Sequence, residues 1–218
     1  MKITKRAATF GATLATTLLI LPVLGSTRLE EQLNDVPSIS HHENVDEVEE
    51  KEEETITVTR WIGKNFTETE ATVLEFLQDR GITDRAALAT ILGNIRQESL
   101  FETKICEGGA RTGYHRCHRG GFGLIQWTTT GRYNGLGRFA SKYGGDPNHI
   151  TTQLRYMVNE NQWVSNEHVW KTPGLSINTH MNAAYRWLGW GVHGARTKYA
   201  YSYYDALTQV QVEVPADT

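Results

Sequence analysis

The sequence predicts an α+β domain, mainly helical, with a small antiparallel sheet beside its second helix. Three observations lead there. Apolar residues recur at helical spacing in several stretches after residue 67. A glycine-rich run, residues 120 to 130, switches to extended character. About 150 residues follow an acidic N-terminal region, enough for one hydrophobic core. The expected organisation is a signal peptide or membrane anchor at 1–25, an acidic disordered linker at 26–60, a folded domain at 61–210 and a tail at 211–218.

At the N-terminus, Lys2, Lys5 and Arg6 precede an uncharged stretch from Ala7 to Gly25 whose most apolar part is Leu14 to Leu24. This has the form of a secretory signal, with Val23 and Gly25 small enough to precede a cleavage point. An uncleaved anchor is the second reading, because 19 uncharged residues are about long enough to span a bilayer. A buried N-terminal helix is the plain alternative. Glu30 to Glu54 then carries eleven acidic residues and almost no large apolar ones, so it cannot bury enough surface to order itself. The whole chain has a formal charge of −3, but from Thr55 onward 17 Lys and Arg face 14 Asp and Glu. That mildly basic bias suits an anionic partner and is too small to indicate nucleic acid.

A capping box, Thr67-x-x-Glu70, opens the first helix, which Gly81 is expected to end. Thr83 or Asp84 caps the second, whose apolar periodicity runs from Ala86 to Leu100. At about 100° per residue, Ile91, Ile95, Leu88 and Leu92 lie roughly 20°, 60°, 80° and 120° from Glu98, all on one side. Glu98 therefore borders a buried stripe at a helix C-terminus. Burial and the partial negative charge of the helix end both disfavour its ionised form and raise its pKa. A carboxyl that keeps its proton near neutral pH is what a general acid needs to protonate a leaving glycosidic oxygen. The plain alternative is a solvated residue near a helix end.

Cys106 and Cys117, the only cysteines, flank a polar loop. In an exported chain one disulfide closing that loop is the natural reading. A zinc site using Cys106, His115, Cys117 and His118 and a pair of free thiols are the alternatives. Gly120, Gly121 and Gly123 permit close backbone approach, while Leu124, Ile125, Trp127 and Thr128 to Thr130 favour a strand. If the run is extended, Gln126 and Trp127 point to opposite faces. Asp146-Pro147 reads as the start of a helix through Leu154, Met157 and Val158. Ser176 to Leu188 and Ala195 to Leu207 read as two more. The late aromatics, among them Trp163, Trp170, Trp187 and Tyr203, read chiefly as core, leaving Trp127 and Tyr133 as cleft candidates.

The run Gly93-Asn94-Ile95-Arg96-Gln97-Glu98-Ser99, followed by Gly120-Gly121-Phe122-Gly123-Leu124-Ile125-Gln126-Trp127-Thr128, resembles the phage-tail-type lysozyme domains of the lysozyme superfamily. It is also similar to the soluble lytic transglycosylases. Asn182-Ala183-Ala184-Tyr185 is similar to the Ala-Tyr-Asn helix motif of the transglycosylases, with Arg186 where that family has Asn. The resemblance covers roughly Thr67 to Leu207 and implies a lysozyme-like fold. It implies that Glu98 is the general acid, that Ser99 orients it, that Gly123, Leu124 and Gln126 wall a glycan groove, and that Tyr185 lines its far side.

The expected activity is cleavage of the glycan strand of peptidoglycan, by hydrolysis or transglycosylation, in a secreted, envelope-exposed or virion-associated monomer that uses no cofactor. None of Glu102, Glu107 and Asp146 has a motif that marks it as a second catalytic carboxylate. A rival from another class is a lysozyme-like domain that only binds the wall, as a structural part of a phage tail or secretion machine. A zinc amidase or a peptidase finds no support, because His-Glu-x-x-His is absent and neither Cys sits in a recognisable Cys/His protease context.

Overall fold

A computed structural model describes residues 55–118 and 120–216. The signal, anchor and linker readings for residues 1–54 lie outside the described residues. In chain order the elements are β1 (Thr55–Gly63), α1 (Glu68–Asp79), α2 (Arg85–Ser99), α3 (Thr130–Tyr143), α4 (Ile150–Asn159), the short α5 (Asn161–Val164) and α6 (Glu167–Trp170), α7 (Ile177–Leu188), α8 (Arg196–Ala206) and β2 (Leu207–Pro215). The architecture is α+β and mainly helical, with one two-stranded antiparallel sheet among the described residues. No helix among them is long and apolar enough to cross a membrane.

Local chemistry starts the first two helices where expected. The Thr67 hydroxyl accepts from the Glu70 amide and the Glu70 carboxylate accepts from the Thr67 amide, so both orphan donors at the start of α1 are satisfied. Asp84 caps α2 by accepting from the Ala87 amide at 2.9 Å. Helix α2 is buried along most of its length, from Ala86 to Ile95, and packs chiefly on α8 and α7. Gly93 makes that packing possible. A Cβ there would stand 2.8 Å from Ala200 Cα and closer still to the Ala200 amide, so α8 rests directly on the α2 backbone.

The sheet lies elsewhere than expected. Strand β1 pairs with β2 from Thr55↔Pro215 to Gly63↔Leu207, joining the two ends of the described chain. It begins inside the stretch read as linker, and β2 occupies most of the stretch read as tail. Two reciprocal bonds hold it to α1: the Trp61 amide donates to Gln78 Oε1 at 2.6 Å and Gln78 Nε2 donates to Trp61 O at 3.0 Å. The run 120–130 forms no regular strand. It contributes one bridge, Cys106↔Phe122, and then turns, because Gly123 and Gln126 take left-handed conformations with φ of 71° and 51°. Leu124, Ile125 and Trp127 are all buried, and a turn is what brings them to the same side.

Two further boundaries differ. Helix α3 is capped by Thr129, whose hydroxyl accepts from the Arg132 amide, and its glycines at 131, 135 and 137 hid it in the sequence. Helix α4 starts at Ile150 rather than at Pro147, because the Asp146 carboxylate binds the amide and side chain of Asn148 in a local turn instead of capping. The tryptophans of α5, α6 and α7 are core, as read: Trp163 lies 5.8 Å from Trp170 and 5.0 Å from Trp187, ring centre to ring centre.

Gly93→Ala gains about 1 kcal/mol of helix propensity but drives a methyl into the α8 backbone, an overpacking cost of about 1–3 kcal/mol or more. The expected outcome in urea unfolding is a net loss of stability. A variant as stable as the wild type would contradict the close approach of α8.

Candidate active site

Helix α2 ends abruptly. Leu100 and Phe101 both take left-handed conformations, with φ of 54° and 65°, so the chain reverses directly after Ser99. That reversal leaves Glu98 on the last turn. It is held beside the start of α8, where Gln97 Oε1 accepts from the Ala195 amide at 2.8 Å.

Glu98 Oε1 meets Arg196 Nη2 at 2.7 Å, with the two side chains 16% and 6% exposed. Arg196 is itself enclosed: its guanidinium lies 4.6 Å from the centre of the Trp190 ring and donates weakly to Asn94 O at 3.5 Å. Burial pushes the Glu98 carboxyl above its ordinary pKa, and the attraction of Arg196, then of the more distant Arg132, pulls the other way without winning. Burial likewise lowers the pKa of Arg196. The charged groups that act on Glu98 are thus both cationic.

Ser99 ties this helix end to the glycine loop. Its hydroxyl, 2% exposed, donates to Leu124 O at 2.7 Å. From the other side, Gln153 Oε1 accepts from the Leu124 amide, while Gln153 Nε2 donates to Thr103 O and Pro147 O, each at 2.8 Å. Gly123 lets that fully buried amide in, since a Cβ would stand 2.7 Å from Gln153 Oε1. Gln126, half-buried, folds its own amide onto Ile105 O and Gly123 O. The disulfide is present, Cys106 to Cys117 with Cα atoms 5.7 Å apart, and it leaves no thiolate for a zinc site.

The structure ties Ser99, next to Glu98, to Leu124, and links Tyr185 to Glu98 only through two intermediaries, Trp190 and Arg196. Tyr185, 55% exposed, touches the Trp190 ring edge-on at 5.3 Å, and Trp190 carries Arg196. Arg186 is directed instead to Asn166 Oδ1 at 2.8 Å. Trp127 lies in the core rather than at a cleft. Its ring is fully buried and its indole N–H donates to Glu160, which also pairs with Arg132 at 2.7 Å. Tyr133 stacks on Tyr114 at 4.4 Å and donates to the carbonyls of Tyr114 and Cys117, bracing the disulfide loop.

The other carboxylates considered are occupied. Glu102 pairs with Arg111 at 3.1 Å, Glu107 accepts from the Gly121 amide at 3.0 Å and Asp146 holds its turn. Arg196 and Gln153 carried no local signal in the sequence. Their partners lie 98 and 29 positions away, and neither stands in a motif.

A family model described as phage tail lysozyme matches residues 68–207, and the chain belongs to that family. No curated protein and no solved structure matches it significantly. Membership implies glycoside hydrolase activity that degrades peptidoglycan, and with the disulfide it points to an extracytoplasmic or virion setting.

Two measurements follow. Because the folded pKa of Glu98 is raised, the stability this group contributes is present below its unfolded pKa and lost as pH rises through the folded value. Arg196→Met removes the main opposing attraction, so the folded pKa climbs further and the deficit against wild type should grow with pH, to about 3 kcal/mol once Glu98 ionises. Equal pH slopes for the two proteins in urea unfolding would contradict the pair. Replacing both cysteines by serine should cost about 3 kcal/mol by loop-closure entropy, read from the unfolding midpoint; an unchanged midpoint would show that the bridge constrains nothing.

Proposed function

We propose that the protein cuts the glycan strand of peptidoglycan between N-acetylmuramic acid and N-acetylglucosamine, with Glu98 as the general acid. The observation that carries this reading is the upward shift of the Glu98 carboxyl by burial at the end of a helix whose neighbouring Ser99 holds the glycine loop. The proton goes from the carboxyl to the bridging oxygen as the glycosidic bond breaks, one sugar leaves with its hydroxyl restored, and the anomeric carbon is then bonded by water or by its own sugar's hydroxyl, whose proton returns to the Glu98 carboxylate. Burial favours the protonated state before this step. Arg196, 2.7 Å away, favours the carboxylate after it. One group is thereby suited to giving up a proton and then tolerating the charge that remains.

Substrate approaches from the exposed side of Glu98. On this reading half-buried Gln126 and exposed Tyr185 are the side chains open to the glycan, while Gly123 and Leu124 are buried and act by holding the loop backbone beside Glu98 rather than by walling a groove. The charged groups that shift Glu98 are Arg196 and Arg132, and Glu102, Glu107 and Asp146 are held by partners of their own, which suits chemistry in which one residue serves as acid and then as base. Nothing in this scheme requires a second catalytic carboxylate. For residues 1–25, an export signal or anchor suits a wall-directed enzyme.

Glu98→Gln preserves size and hydrogen bonding but has no proton to give. The expected outcome on purified peptidoglycan is a loss of at least about 100-fold in the cleavage rate, with wall binding retained. The wild-type rate should fall on the alkaline side as Glu98 loses its proton. Mass spectrometry of the fragments reads the chemistry, anhydro ends for a transglycosylase and reducing ends for a hydrolase. Undiminished cleavage by the variant would remove Glu98 from the mechanism, and wall binding without cleavage by the wild type would favour a structural role.

A further inference from the structure

Positive charge in this domain is concentrated in one part of the chain. Between residues 103 and 145 there are seven Lys and Arg and a single Glu, so this stretch outweighs the whole surplus of the chain beyond Thr55. Much of that charge lies on or beside α3. Two open troughs flank the helix: one of about 620 Å³ lined by Tyr114, His115, Asn134, Arg138 and Lys142, the other of about 680 Å³ lined in part by Arg132, Phe139 and Tyr143. Arg138 and Lys142, one helical turn apart, border both. They therefore form a ridge between the troughs.

The cations of this stretch are not equivalent. Arg132 is neutralised by Glu160 at 2.7 Å and Arg111 by Glu102 at 3.1 Å. Arg138 and Lys142 are exposed and form no ion pair among the described residues; Lys142 lies 4.8 Å from the centre of the Tyr143 ring. Two unneutralised cations one turn apart, with the Asn134 amide and the Ser141 hydroxyl on the trough below, suit a carboxylate ligand, which an arginine fork grips through two parallel bonds.

We propose that the α3 ridge is a second contact for the wall, at which Arg138 and Lys142 bind free carboxylates of the peptide stems carried by the glycan strand. This rests on the reading of peptidoglycan as substrate. The stems are favoured over a separate phosphodiester polymer by continuity with the candidate site. The first turn of α3 carries Arg132, whose charge acts on Glu98, and Arg132 lines the same trough as Arg138 and Lys142. A strand positioned at Glu98 thus brings its own stems to the ridge, whereas an unattached polymer has no such registration.

The test uses the full chain carrying Glu98→Gln, so that the ligand is not consumed, with and without Arg138→Gln and Lys142→Gln. Cosedimentation is compared on intact sacculi, on glycan freed of stems by an amidase, and on sacculi stripped of attached phosphodiester polymer. The E98Q protein should bind stem-bearing wall about tenfold more tightly than stem-free glycan, and the ridge substitutions should abolish that preference at unchanged thermal stability. Equal binding to both substrates, a preference that survives the ridge substitutions, or one that disappears when the phosphodiester polymer is stripped would each overturn the proposal. Failure of the cleavage reading shows separately, as fragment release by E98Q from the same sacculi.

Discussion

The pairing of Glu98 with Arg196 at the junction of α2 and α8 is the constraint on which the rest of the site depends. A carboxyl at the end of a buried helix pays heavily for ionising, and a guanidinium enclosed by Trp190 pays for losing water. Each is tolerable because the other is 2.7 Å away. The balance leaves the carboxyl above its ordinary pKa, since burial outweighs the attraction of two cations. A fully exposed Glu98 would be an ordinary carboxylate. A fully buried one without Arg196 would be an acid unable to hold its charge after losing a proton.

Much of the surrounding structure can be understood as keeping that junction in place. Gly93 lets α8 lie against α2, and Gln97 binds the amide that precedes Arg196, so the helix bearing the cation is docked twice on the helix bearing the acid. The left-handed Leu100 and Phe101 stop α2 at Ser99, one residue beyond Glu98, and the Ser99 and Gln153 side chains then hold Leu124 from both of its backbone polar groups. The Cys106–Cys117 bridge and the Tyr133 hydroxyl brace the loop from its far end. An otherwise glycine-rich segment is thus held beside the acid by hydrogen bonds rather than by a strand ladder.

What was legible in the sequence was what local chemistry decides. The capping residues Thr67 and Asp84, the placement of Glu98 beside the apolar stripe and the core role of the late tryptophans all follow from spacing over a few residues. The β1–β2 ladder was hidden because its strands lie about 150 positions apart and the first adjoins an acidic run that dominates the composition. Helix α3 was hidden by its glycines, and the turn at 123–127 by residues that individually favour strands. Arg196 was illegible for a deeper reason. A long-range ion pair leaves no periodic trace in either of its two segments, so only the packing of α8 on α2 reveals it.

The most direct test of this account is an NMR titration of the Glu98 side-chain carboxyl in the folded protein. The account predicts a midpoint above that of an ordinary glutamate, moving higher still when Arg196 is replaced by methionine. A midpoint at or below the ordinary value, unmoved by that replacement, would mean that solvent rather than burial governs the carboxyl, and the proposed acid would have no basis.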